Sequence, residues 1–272
     1  MPCFSSQAAG GPKGPARGPD CSSCPGPAGS PEEPDFKREG PAGPADKVFF
    51  MRNNIAIDGP AGAGKSTIAK KVAKAVSAIY VDTGAMYRAM ALFLIRKGIS
   101  PDDSAAISES CGEADISIEF IDGEQAVLLN GENVNAFLRT EEVGNMASKS
   151  SVNPDVREKM SALQKKIGRE KDVVMDGRDI GTVVLPDAPC KIYLTASVEV
   201  RALRRYKELQ DRGVEADLSV IAAEIAERDH RDMTREHAPL KQAEDAVLVD
   251  SSSMTIDQVA DRILAVYHEK VG

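Results

Sequence analysis

The stretch Gly59 to Thr67, reading GPAGAGKST, restricts the chain more than any other segment. It fits G-x-x-x-x-G-K-[ST], a phosphate-binding loop. Its glycines let the backbone curl so that successive N–H groups face one anion. Gly59, Pro60, Ala61, Gly62, Ala63, Gly64, Lys65, Ser66 and Thr67 are therefore read together as a cradle for the phosphates of ATP. Lys65 supplies a mobile positive charge, and the Ser66 hydroxyl is placed to ligate Mg²⁺. Context supports the match. Asn54 to Asp58 reads as a short strand, and Ile68, Val72 and Val76 recur every four residues as a helical stripe. A helix starting here presents its positive N-terminal end to the bound anion.

Four more short apolar runs read as strands: Ala78 to Asp82, Asp172 to Asp176, Lys191 to Leu194 and Ala246 to Asp250. Helical stripes separate them. Met86, Met90 and Phe93 mark a helix closed by Lys97 and Gly98. Ser100 and Pro101 are read as opening another short helix. Helices follow near Thr140 and after Asn153-Pro154, a long charged helical region spans about 198–236, and Thr255 starts the closing helix. Such alternation predicts an α/β fold of the P-loop NTPase type: a five-stranded parallel sheet with helices on both faces. Ligands of such sheets bind at the strand carboxyl ends. The phosphate loop, Asp82-Thr83, Asp176-Gly177 and Thr195 should then share one rim. Residues 115–135 break the pattern. Ile116, Ile118 and Phe120 alternate, and Asp122-Gly123 and Asn130-Gly131 flank Ala126 to Leu129. This predicts a small antiparallel β insert with tight turns.

Residues 1–46 hold ten of the sixteen prolines and almost no large apolar residues, so they are read as a disordered extension. Met51 would make a natural start. Residues 47–272 are expected to form one domain, with an insert at about 110–150 and a helical lid at about 205–238. Of the five cysteines, only Cys111 and Cys190 lie in that part. This is no disulfide framework and points to a reducing cytoplasm. Cys21 and Cys24 have metal-ligand spacing without a second pair, so no zinc site is expected. No apolar run approaches the roughly 20 residues that span a bilayer. The net charge of −8 argues against a general binder of nucleic acid or membrane. No interface signal stands out, and a monomer is expected.

Three further groups carry chemistry. In Asp82 to Arg88, the arginine lies about one helical turn past a strand end, where it can clamp a phosphate through two parallel hydrogen bonds. The alternative is a surface arginine on an amphipathic helix. In Met175 to Thr182, Asp176 ends an apolar run, as a magnesium-organising aspartate does, and Arg178 and Asp179 follow on the same rim. A solvated turn with a local ion pair is the plainer alternative. Arg228, Arg231, Asp232 and Arg235 are spaced i, i+3, i+4 and i+7 and are read as one helix face. That face is either a solvated surface or a lid whose arginines close over a transferring phosphoryl group. The histidines, His230, His237 and His268, form no recognisable triad.

Together the segments IDGPAGAGKST, DTGAMYR, RTEEVGNMAS, NPDVREKM, MDGRDIGTVVLPDA, RRYKELQDRG, ERDHRDMTREHAPL and LVDSS resemble the bacterial cytidylate kinases, a branch of the P-loop nucleoside monophosphate kinases. The resemblance runs from about Asn54 to the C-terminus. It implies transfer of a phosphoryl group from ATP to CMP or dCMP, with Mg²⁺ held by Ser66 and Asp176. It implies that Thr83, Arg88 and Arg178 hold the acceptor nucleotide, both arginines on its phosphate. Ser148, Arg157 and Asp179 would read the cytosine edge. Arg228 and Asp232 would meet the sugar, and Arg235 the phosphates. Lys65, Arg178, Arg228 and Arg235 would form the catalytic set.

Three readings compete. Another small-molecule P-loop kinase would share the loop and lid without Ser148, Arg157 and Asp179. A slow GTP-hydrolysing switch would carry an N-K-x-D motif, which the chain lacks. A non-catalytic nucleotide-binding module is opposed by the intact Lys65, Ser66 and arginine set.

Overall fold

The computed structural model describes residues 53–121 and 124–271. The proline-rich stretch 1–46, Met51 and the Asp122-Gly123 turn lie outside them.

Along the chain, β1 (Ile55–Asp58) leads through the glycine loop into α1 (Lys65–Ala75). Next come β2 (Ile79–Asp82), α2 (Thr83–Arg96) and α3 (Ser104–Cys111). The insert holds β3 (Ile116–Ile121), β4 (Glu124–Leu129) and β5 (Glu132–Asn133). Helices α4 (Glu141–Ser150) and α5 (Pro154–Glu170) return the chain to β6 (Val173–Gly177). After β7 (Cys190–Thr195) come α6 (Val198–Asp211), α7 (Leu218–Thr234), β8 (Val247–Asp250) and α8 (Ile256–Val271).

Five strands form one parallel sheet in the order β2-β6-β1-β7-β8. Side chains of a strand alternate between faces, and here both faces are buried. Ile55, Ile57 and Val174 pack with Ile68 and Val72 of α1 and with Val259 and Ile263 of α8. Ala56, Val173 and Met175 face the opposite way, onto Met86 and Met90 of α2 and Val156 and Met160 of α5. Each fully buried Ile or Met side chain contributes about 1.5–3 kcal/mol. All five expected strands form, so every strand carboxyl end lies at one rim. Among the described residues no helix is long and apolar enough to cross a membrane.

The antiparallel insert also forms. β3 pairs with β4, and β4 with β5. Asn130 and Gly131 both have positive φ, 50° and 82°, as a tight two-residue hairpin turn requires. Ile116, Val127 and Leu129 join the same apolar cluster as α2, so the insert shares that core.

Two local expectations need correction, and the charged helical region gains detail. Ser100 and Pro101 do not open a helix. Asp103 accepts the Ala106 N–H at 3.0 Å and caps α3, which starts at Ser104. Ser100 Oγ instead accepts the Asp102 N–H at 3.3 Å, which closes a turn ahead of the helix. The charged region 198–236 is two helices. α6 ends where the Gly213 N–H bonds Gln210 O at 2.8 Å and the Val214 N–H bonds Leu209 O at 3.0 Å, with Gly213 at φ 71°. Asp217 then caps α7 through the N–H groups of Ser219 and Val220. Finally, Arg235 lies one residue past α7 in extended conformation, so it does not continue that helix face.

At the end of the sheet opposite the rim, Asn54 ties β1 to its neighbours. Its amide donates to Gly168 O at 2.8 Å, and its carbonyl accepts the Val173 N–H at 3.0 Å. Asn54→Ala leaves both backbone groups buried without a partner. We expect a loss of about 2–3 kcal/mol in denaturant unfolding, with no change in ligand affinity at the distant rim.

Candidate active site

The strand ends open onto one groove of about 1820 Å³. On one side lies the glycine loop. Gly59 has φ 148°, and a Cβ there would sit 1.9 Å from Leu194 O, so only glycine lets the loop leave β1 against β7. Gly62 and Gly64 also have positive φ, and no side chain caps the N-terminus of α1. The first N–H groups of that helix are thus left for an anion. Lys65 curls back to donate to Pro60 O at 2.7 Å. Burial, then the nearby Arg178 charge, lowers its ammonium to about 7. An anion in the loop would reverse that. Ala61 to Thr67 line the groove, whereas Gly59 and Pro60 do not, Pro60 contributing its carbonyl to Lys65.

The centre of the rim belongs to Asp176 at the end of β6. Its carboxylate accepts from Tyr80 Oη at 2.8 Å and from Ser66 Oγ at 3.3 Å, while Thr83 Oγ1 donates to its backbone carbonyl at 2.6 Å. Burial, then the Asp82 charge, raises the carboxyl to about 6. A hydroxyl and a carboxylate beside a phosphate loop form a hard-oxygen set suited to Mg²⁺. Among the described residues no larger cluster of metal-ligating side chains exists.

The far side carries a cluster of side-chain donors and acceptors. Arg157 of α5 donates to Asp179 Oδ2 at 2.5 Å and to Ser151 O at 3.1 Å, and stacks over the Tyr87 ring. Arg235 lies 3.8 Å from Asp179 and 3.7 Å from Asp232. The Ser148 hydroxyl, on α4, is buried without a hydrogen-bond partner. Arg178 donates to Asp232 of α7 at 2.9 Å. Burial works against the charge on both. The mutual attraction wins, holding the Asp232 carboxyl below its usual range and the Arg178 guanidinium above its own.

Positive charge is left over. Among the described residues Arg88 and Arg228 form no ion pair, and the Arg228 Nε is buried without a partner. Burial, then repulsion from Arg178, lowers Arg228 to about 10. Burial lowers Arg88 as well. Cations held this way gain most from a dianion placed among them. The expected site residues Thr83, Arg88, Ser148, Arg157, Asp176, Arg178, Asp179, Arg228, Asp232 and Arg235 all line this groove with the loop.

The structure adds residues to which no role had been assigned. Arg201 of α6 is 4% exposed. It donates to Ala61 O and Ala196 O at 3.0 and 2.8 Å and pairs with Asp229 of α7 at 2.7 Å. Arg204, also of α6, and Ser251 both donate to Ala63 O, at 3.5 and 3.4 Å. Arg139 pairs with Asp82 at 2.7 Å at the start of α2. The available signal is position: Arg201 and Arg204 lie in the first two turns of the helix that follows β7, and Ser251 directly follows β8, all three near strand carboxyl ends.

The model of one protein family, described as cytidylate kinase, matches residues 55–269. A cytidylate kinase of Caldicellulosiruptor bescii is 48% identical over 218 residues, 80% of this chain and 96% of that protein. One from a Geobacillus species is 48% identical over 224 residues, 82% of this chain and 100% of its own. One from Listeria innocua is 49% identical over 218 residues, 80% of this chain and 96% of its own.

Arg201→Met removes the bridge between the glycine loop and α7 and strands Asp229 in a buried position. We expect a loss of about 3–5 kcal/mol, read by urea denaturation.

Proposed function

The chain belongs to the cytidylate kinase family, and we propose that it transfers the γ-phosphoryl group of ATP to CMP or dCMP, giving ADP and CDP or dCDP. The observation that carries this reading is the shared groove: a triphosphate loop on one side and a hydrogen-bonding set for a nucleobase on the other.

In this reading Gly59 to Thr67 hold the ATP phosphates, with Lys65 moving from Pro60 O onto them. Thr83, Arg88 and Arg178 hold the acceptor nucleotide, both arginines on its phosphate, while Arg228 and Asp232 meet the sugar and Arg235 the phosphates. Ser66 and Asp176 hold Mg²⁺, which when bound offsets phosphate charge. The nucleophile is already an anionic phosphate oxygen, so no general base is needed, and the chain supplies positioning and positive charge instead. Cytosine offers an N4 donor beside N3 and O2 acceptors. Asp179 accepts from N4, while Arg157 and Ser148 donate to the acceptors. Uracil would set its O4 against the Asp179 carboxylate.

We further propose that residues 47–272 act as one domain, with the insert and α4 (about 110–150) gripping the monophosphate. Residues about 205–238, which include α7, would close over both nucleotides and exclude water. The separate antiparallel sheet and the break at Gly213 support that division. A cytoplasmic monomer completes the reading.

ADP release with ATP·Mg²⁺ and each of CMP, dCMP, UMP, AMP, GMP and dTMP is the direct test. Strong turnover is expected with CMP and dCMP alone; preference for another monophosphate would overturn the roles of Ser148, Arg157 and Asp179. Lys65→Ala should abolish turnover with an unchanged melting temperature, and near-normal kcat would remove Lys65 from the mechanism. Asp179→Ala should lose about 1–3 kcal/mol of discrimination between CMP and UMP before ATP affinity falls. Equal losses for both bases would refute base reading.

A further inference from the structure

Asp179 stands at the N-cap position of a short π-helical turn, Ile180–Val184. An aspartate there ordinarily folds its own carboxylate back onto the first free N–H groups of the helix. This one does not: its side chain makes no cap hydrogen bond and reaches Arg157 and Arg235 instead. The N–H groups it leaves unserved are buried, and an unpaired buried N–H costs about 1–3 kcal/mol.

Another carboxylate serves them. Asp58, the last residue of β1, accepts the Ile180 N–H at 2.8 Å with one oxygen and the Gly181 N–H at 2.7 Å with the other. The register explains the reach. Asp58 lies opposite Gly177 on the neighbouring strand, and the segment carrying Arg178 and Asp179 leaves from there. Gly181 allows the approach, because a Cβ would crowd Lys191 Cδ at 3.2 Å and Asp58 Oδ2 at 3.4 Å. Asp58 is itself 4% exposed, and a second buried carboxylate is a costly way to cap one turn.

We propose that Asp58 is a positioning residue for nucleobase selection: by capping the turn from β1, it releases the Asp179 carboxylate to the groove. This rests on the cytidylate kinase reading of that groove. Both oxygens are needed. An amide at position 58 accepts one N–H and presents its own donor to the other, so Asp179 is drawn back to cap its own turn and away from the base. Asp58 also directly precedes Gly59, so a single side chain links the start of the donor loop to the acceptor-reading turn.

The test is steady-state kinetics of the full chain bearing Asp58→Asn, with CMP and UMP as acceptors, alone and combined with Asp179→Asn. We expect the KM for CMP to rise about tenfold or more, the preference for CMP over UMP to fall by a similar factor, and the KM for ATP to change less than about twofold. Added to Asp179→Asn, Asp58→Asn should alter selectivity little, because both act through one carboxylate. The inference is overturned if CMP and UMP lose equally, if the KM for ATP rises as much, or if the two substitutions add. Asp58→Ser, which keeps one acceptor in a smaller volume, is read the same way should the amide prevent folding. Wild-type enzyme with no preference for CMP would instead overturn the functional reading itself.

Discussion

Unpaired positive charge held at the rim of a parallel sheet is the constraint around which this molecule is arranged. Among the described residues, half-buried Arg88 and Arg228 form no ion pair, the Arg228 Nε is buried without a partner, and Lys65 rests on a carbonyl oxygen. Removing cations from water is costly, and an anion placed among them offsets that cost. The rest of the fold serves to hold those groups in place. The sheet delivers five strand ends to one edge, two apolar layers fix it from both faces, and glycine at position 59 lets the loop pass within contact of β7.

The charges that do find partners are paired across elements. Arg157 of α5 meets Asp179, Arg178 meets Asp232 of α7, and Arg201 of α6 meets both the glycine loop and Asp229 of α7. Buried pairs of this kind add little net stability, but each fixes one side chain relative to another. Two of them tie α7 to the rim. In the proposed reading, a nucleotide that competes for Asp179 or Asp232 exchanges an internal partner for a ligand rather than meeting a free group, which favours ligands able to replace both hydrogen bonds and charge.

Much of this was legible in the chain itself. GPAGAGKST is a local motif whose chemistry follows from residue type and order, and short apolar runs ending in Asp82, Asp176 and Asp250 located strands that all formed. Asn130-Gly131 specified its own turn. Misreadings came where neighbouring residues offered the same signal. Ser100 and Asp103 are both of residue types that cap helices, and here the second caps α3 while the first only closes a turn onto the Asp102 N–H. The spacing of Arg228, Arg231, Asp232 and Arg235 suggested one helix face, yet the helix ends at Thr234 and Arg235 reaches the groove by another route.

The sequence by itself determined the phosphate loop, the strand and helix alternation, the antiparallel insert, and the residues that meet on the rim, because each rests on local pattern or on the rule that parallel strands share a carboxyl edge. Tertiary structure decided who partners whom. That Asp58 caps the turn of Asp179, that Arg201 holds Ala61 O, and that Tyr80 steadies Asp176 depend on residues 96–140 positions apart. No spacing rule reaches that far; such contacts exist only once sheet order and register have brought the strand ends together.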